Sequence, residues 1–120
     1  MDKTQAYAVT IDSSKETELQ KQYPDAMRSY ALLCRLKRIE AGKPVVLNNK
    51  GQSILLMPVI QNDMTDVKAV RDCLKYIQQW HNDLGIEDIV FHRFDDEHWN
   101  EVKTLINEYL KDEIPTEVSE

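Results

Sequence analysis

Glycine is scarce in this sequence: there are three residues in 120, standing alone at Gly42, Gly51 and Gly85. A backbone cradle for phosphate relies on clustered glycines, which let the chain approach an anion with no Cβ in the way. Three isolated ones build neither a P-loop nor a dinucleotide fingerprint. Cysteine is as rare, with only Cys34 and Cys73. They form no C-x-x-C pair and fall in apolar stretches of helical spacing, so they read as buried structural thiols rather than a disulfide. No apolar run approaches the roughly 20 residues that span a bilayer. The N-terminus, Met1-Asp2-Lys3-Thr4-Gln5, leads into no signal-like apolar segment. These absences set the expectation of a cytoplasmic protein with no membrane partner. Positive charge is also short, with 15 Lys and Arg against 21 Asp and Glu and a formal net charge of −6. That disfavours direct nucleic-acid binding, which neutralises phosphates. The basic stretch Arg35, Lys37 and Arg38 has Glu40 close behind and reads as a solvated helix face.

What is present has the pattern of one globular domain, 42% hydrophobic and 30% charged. We expect the domain to occupy residues 1–114, with residues 115–120 a frayed acidic tail. Residues 6–11, Ala-Tyr-Ala-Val-Thr-Ile, read as a first strand, and the turn formers Asp12-Ser13-Ser14 end it. A short surface helix over 15–22 follows. Pro24 then suits the first position of a second helix, whose apolar face (Met27, Tyr30, Ala31, Leu33, Cys34, Leu36) runs towards Gly42.

Residues 45–47 and 53–59 flank Asn48-Asn49-Lys50-Gly51, a hairpin signal. The second run, Ile54-Leu55-Leu56-Met57-Pro58-Val59, is apolar on both faces and predicts an inner strand ending near Pro58. A third helix follows the caps Asp63 to Asp66, with Val67, Val70, Cys73, Leu74, Ile77, Trp80 and Leu84 in helical register up to Gly85. Residues 86–91 read as a second inner strand, adjacent to the first and covered on both faces. Asp95-Asp96 opens a last helix striped with Trp99, Val102, Leu105, Ile106, Tyr109 and Leu110. The order β-α-α-β-β-α-β-α implies an α/β fold, a three-layer α/β/α sandwich around a mixed sheet.

Several segments together resemble the macrodomain family, particularly its terminal-ADP-ribose glycohydrolase branch. Ala6-Tyr7-Ala8-Val9-Thr10-Ile11-Asp12 is similar to the family's A-H-x-(V/I)-(S/N)-x-D strand, and Tyr23-Pro24-Asp25-Ala26-Met27-Arg28-Ser29-Tyr30 to its F-P-x-x-x-x-x-Y helix start. Ala69-Val70-Arg71-Asp72-Cys73-Leu74-Lys75 resembles the family's long helix, L-x-x-(C/A)-L-x-x. The run Ile86 to Phe94 resembles the strand ending M-P-R-I-G, and Trp99-Asn100-Glu101-Val102 the W-x-x-V of the final helix. The resemblance covers residues 6 to 111. It implies a reduced macrodomain, with a ligand-binding region at Asp12, Phe94 and Asp95.

The same resemblance exposes departures. The family holds the ADP-ribose diphosphate on two glycine-rich loops. Where the first should stand, after Asp12, the chain has Ser13-Ser14-Lys15-Glu16-Thr17-Glu18. Where the second should stand, after Phe94, it has Asp95-Asp96-Glu97-His98. Both are shorter and lack glycine, and acidic residues stand where a diphosphate would sit. The catalytic lysine expected after the inner strand is missing from Val59-Ile60-Gln61-Asn62. The family's first and closing strands are not apparent.

No catalytic residue, metal site or cofactor is therefore expected. His92 and His98 with Asp95, Asp96 and Glu97 carry ligand chemistry, but a solvated helix start with incidental histidines is the plainer explanation. Asp12, the acidic position that meets adenine in the family, reads equally as a cap for the next helix. The function that follows is a non-catalytic macrodomain-like interaction module with a protein partner, an adaptor or inhibitor. The alternatives are an ADP-ribose or nucleotide binder with an altered pocket and weak hydrolase activity, and an acidic nucleic-acid mimic. A homodimer through exposed sheet edges stays open.

Overall fold

A computed structural model describes residues 3–94 and 97–119. A first strand, β1 (Thr4–Val9), leads through a 3-10 turn (Ser13–Lys15) into helices α1 (Thr17–Gln22) and α2 (Pro24–Arg35). A hairpin follows, β2 (Val45–Asn49) with β3 (Gln52–Pro58), then a two-residue-stranded ribbon, β4 (Ile60–Gln61) with β5 (Met64–Thr65). Helix α3 (Val67–Trp80), strand β6 (Ile89–His92), helix α4 (Trp99–Leu110) and strand β7 (Thr116–Ser119) complete the chain. No helix among the described residues is long and apolar enough to cross a membrane.

Local chemistry explains most boundaries. Lys50 and Gly51 both take positive φ, 51° and 86°, which makes the tight turn whose twist suits a two-residue hairpin. Asp66 starts α3, its Oδ1 accepting from the N–H groups of Lys68 (3.0 Å) and Ala69 (3.3 Å). Helix α2 ends at Arg35, short of the stop expected at Gly42. Lys37 adopts φ 55° and closes a Schellman turn, its N–H donating to the Cys34 carbonyl and that of Arg38 to the Leu33 carbonyl. Gly42 serves packing instead, since a Cβ there would stand 3.1 Å from Asp72 Cβ on α3.

The main sheet runs β2-β3-β1-β6-β7, with β2 antiparallel to β3 and the other neighbours parallel. Strands β3 and β6 are both interior, and Leu55 and Ile89 are fully buried. They are not adjacent, as the apolar runs suggested, because β1 lies between them. Unbroken apolar sequence demands burial and says nothing of which strand is next door. Residues 116–119 are likewise a strand rather than a frayed tail. An edge strand needs only one covered side, and acidic side chains suit the other. The Ile89 N–H donates to the Pro115 carbonyl and that of Arg93 to the Ser119 carbonyl, while Lys3 Nζ pairs with Glu117 at 2.8 Å.

Helices α3 and α4 cover one face, where Ala6, Leu55, Met57 and Phe91 meet Ile77, Trp99 and Leu110. Helices α1 and α2 cover the other, where Val9, Ile54 and Leu56 meet Met27 and Tyr30. The fold is thus a three-layer α/β/α sandwich. The second helical layer stops over β1, so Val90 and His92 on β6 are only half-buried there. Three further expectations shift. The first strand lies two residues earlier than 6–11, leaving Ile11 55% exposed; Trp80 is 41% exposed; and Cys34 is half-buried where Cys73 is fully buried.

Candidate functional site: a cleft at the ends of two parallel strands

Strands β1 and β3 run parallel and stop at the same edge of the sheet. From there the chain leaves β1 towards the α1–α2 face and leaves β3 towards the α3 face. Such a divergence opens a crevice beyond the strand ends, where open α/β sheets place ligands. A cleft of about 370 Å³ lies there, lined by Thr10, Ile11, Asp12 and Lys15 on one side and Ile60, Gln61, Asn62 and Asp63 on the other. The second wall is the β4–β5 ribbon, whose turn residues Asn62 and Asp63 both have positive φ. It is fixed to the sheet by the Asp66 N–H on the Val59 carbonyl (2.7 Å) and the Val59 N–H on the Val9 carbonyl (3.1 Å).

The first wall is bonded to itself. The Thr10 N–H donates to Glu16 Oε1 at 2.7 Å, and the Asp12 N–H to Thr10 Oγ1 at 3.2 Å. Asp12 Oδ1 accepts from the Ser14 N–H (3.0 Å) and hydroxyl (2.7 Å). The Lys15 N–H donates to the Asp12 carbonyl and the Glu16 N–H to the Ser13 carbonyl, both at 3.1 Å. Tyr30 Oη donates to the Thr10 carbonyl at 2.5 Å, anchoring the loop to α2. Backbone donors at Thr10, Asp12, Ser14, Lys15 and Glu16 thus already have acceptors within the loop. The two bonds from Ser14 hold the Asp12 carboxyl below its ordinary range, so this wall stays anionic.

Of the residues singled out by sequence, Asp12 does line the cleft, as the cap of the 3-10 turn. Phe94 is half-buried and packs on Trp99 with ring centroids 5.5 Å apart. Asp95 lies outside the described residues, as does Asp96. His92 is held in the fold: its ring stacks on Tyr7 at 4.4 Å, and Nε2 is 2.6 Å from Gln5 Oε1. Among the described residues no three His, Cys, Asp or Glu side chains converge as a metal site would require. Lys15 and the Gln61-Asn62-Asp63 turn escaped the sequence reading as cleft residues. The Asn-Asp pair between two short runs was the available turn signal.

No family model and no curated protein matches the sequence. Solved structures match the fold. The macrodomain of Thermus aquaticus DarG superposes with a TM-score of 0.83 at 17% identity, covering 98% of this chain and 89% of that one. The chain has a macrodomain-like fold. The macrodomain of Mycobacterium tuberculosis DarG gives 0.82 at 11% identity, with coverage of 97% and 87%. Thermosipho africanus DarTG in complex with ADP-ribose gives 0.80 at 20% identity, and this chain spans 37% of that longer one.

Proposed function

We propose that this protein is a non-catalytic macrodomain-like interaction module, one that neither hydrolyses ADP-ribosyl linkages nor holds ADP-ribose by its diphosphate, and that acts through a protein partner. The observation that carries the proposal is the self-bonded loop of residues 10–16. A diphosphate needs several backbone N–H groups pointing at it. Here Thr10, Asp12, Ser13 and Glu16 accept from five of the loop's N–H groups, and the Asp12 and Asp63 carboxylates outnumber the Lys15 ammonium in the cleft. Forgoing two charge-assisted bonds costs on the order of 3–6 kcal/mol, roughly a hundredfold to ten-thousandfold in affinity.

Hydrolysis is tested by incubating the protein with an ADP-ribosylated substrate and following release of ADP-ribose. No release above the protein-free blank is expected. Turnover that disappears in Asp12→Asn would sink the proposal.

A second reading is an ADP-ribose or nucleotide binder with an altered pocket. It is favoured by the position of the cleft at the strand ends and by the likeness to a DarTG structure in complex with ADP-ribose. Under that reading Gln61, Asn62 and the Lys15 side chain would supply the contacts that the loop backbone does not.

A further inference from the structure

Helix α2 turns Ala26, Met27 and Tyr30 onto the sheet. On its opposite side, Arg28, Leu32 and Arg35, with Leu36 just past the last turn as the C-cap, fall within roughly 100° of arc, given 3.6 residues per turn. A surface helix ordinarily carries polar residues along that stripe. Here two leucines occupy it, 49% and 54% exposed.

The surrounding charge is unlike that of the rest of the chain. Residues 25–40 contain four cations, Arg28, Arg35, Lys37 and Arg38, against two carboxylates, Asp25 and Glu40, within a protein of net charge −6. Arg28 pairs with Asp25 at 2.6 Å, and the other three make no ion pair among the described residues. A shallow depression lined by Asp25, Arg28, Ser29 and Leu32 opens beside the first leucine. Lys37 holds the left-handed position of the Schellman turn, φ 55°, where glycine is the unstrained residue. Cations near a helix C-terminus are favoured by its dipole. That accounts for the charges and leaves the two leucines unexplained.

We infer that the outer face of α2 is a docking surface for an acidic protein segment bearing apolar side chains of its own. Arginine and apolar residues together are the composition of interface cores. The cations select an acidic partner and the leucines bury its apolar residues. A nucleic acid would satisfy the cations and leave both leucines in water. An anionic membrane would be repelled by the remainder of the chain, and two leucines insert little apolar area. The inference deepens the proposed interaction role by naming a surface and a partner chemistry, and it uses no residue of the cleft.

The test titrates a synthetic amphipathic peptide, glutamates flanking a leucine stripe, into the protein while following the Leu32 and Leu36 methyl NMR signals. Control probes are the same peptide with serine for leucine, oligo(dT), and phosphatidylserine-containing vesicles. The Glu/Leu peptide is expected to bind saturably and shift both methyls, and to weaken with added salt. Affinity should fall at least about tenfold in Leu32→Ser/Leu36→Ser and in Arg35→Glu/Arg38→Glu. All four side chains are solvent-facing, and unshifted Ile77 methyl signals would confirm that the variants fold. The inference is overturned if the methyls do not move, if the serine variant binds as tightly, or if oligo(dT) or vesicles engage α2 in preference. ADP-ribose binding in the cleft would count against the proposed function and leave this surface untouched, so the two failures are distinguishable.

Discussion

Asn49, at the end of β2, caps a helix that starts well before it in sequence: its Oδ1 accepts from the N–H groups of Asp25 (3.0 Å) and Ala26 (3.1 Å) at the start of α2. Tyr23, the residue at the cap position, makes no side-chain bond to the start of the helix. The hairpin and the helix are therefore joined by a buried amide, and α2 is positioned to bring Tyr30 to Thr10 at the rim of the cleft.

Asn49→Ala should consequently destabilise the protein by about 1–2 kcal/mol, the upper part of the range for losing a cap, because the site is buried. Denaturant unfolding measures it. Asn49→Asp restores an acceptor and should recover part of the loss. A midpoint unchanged by the alanine variant would mean that the cap is dispensable.

Ile77 lies at the centre of the α3 face and is fully buried. Truncation to alanine is expected to cost about 2–5 kcal/mol, from lost burial and the cavity left behind. Trp80, one turn on and 41% exposed, should lose distinctly less on Trp80→Ala than Ile77 does, about 1 kcal/mol. Equal losses at the two positions would show that the helix is turned the other way.

Burial of His92 holds its pKa below the ordinary 6.5. The native state therefore takes up this proton at lower pH than the unfolded chain does. The contribution is fully present above pH 6.5 and declines as pH falls from 6.5 towards the folded pKa. Stability measured from pH 7.5 down to 5, roughly spanning the range in which histidine titrates, should fall less steeply in His92→Gln than in the parent. An identical slope in both would remove His92 as its source.

Much of this was legible in the sequence, for identifiable reasons. Ile54 to Val59 announced an interior strand because both of its faces are apolar. Asn48-Asn49-Lys50-Gly51 announced the hairpin because Asn and Gly tolerate positive φ, although it is Lys50, not an asparagine, that takes it beside Gly51. Helix α3 was placed by its period, with Asp66 as the working cap among the several offered. The neighbour of β3 was not legible, since pairing is long-range and β1 enters the middle of the sheet through the modest Ala6 and Ala8. The final strand was hidden by its charge, Glu117 being read as solvated when one open side is all an edge strand requires. At the cleft, the residue types disclosed missing glycines, but only the folded loop shows that Glu16 and Asp12 occupy the donors. The end of α2 depended on Lys37 entering a conformation that composition assigns to glycine.

The central claim is that the loop of residues 10–16, with the N–H groups of Thr10, Asp12, Ser14, Lys15 and Glu16 already bonded within it, offers too few donors to hold a diphosphate. Isothermal titration of ADP-ribose into the purified protein tests it most directly. The expected result is no saturable heat corresponding to a dissociation constant tighter than about 100 μM, roughly −5.5 kcal/mol. Binding tighter than that, abolished by Asp12→Ala or by substitution of Gln61 and Asn62, would contradict the account.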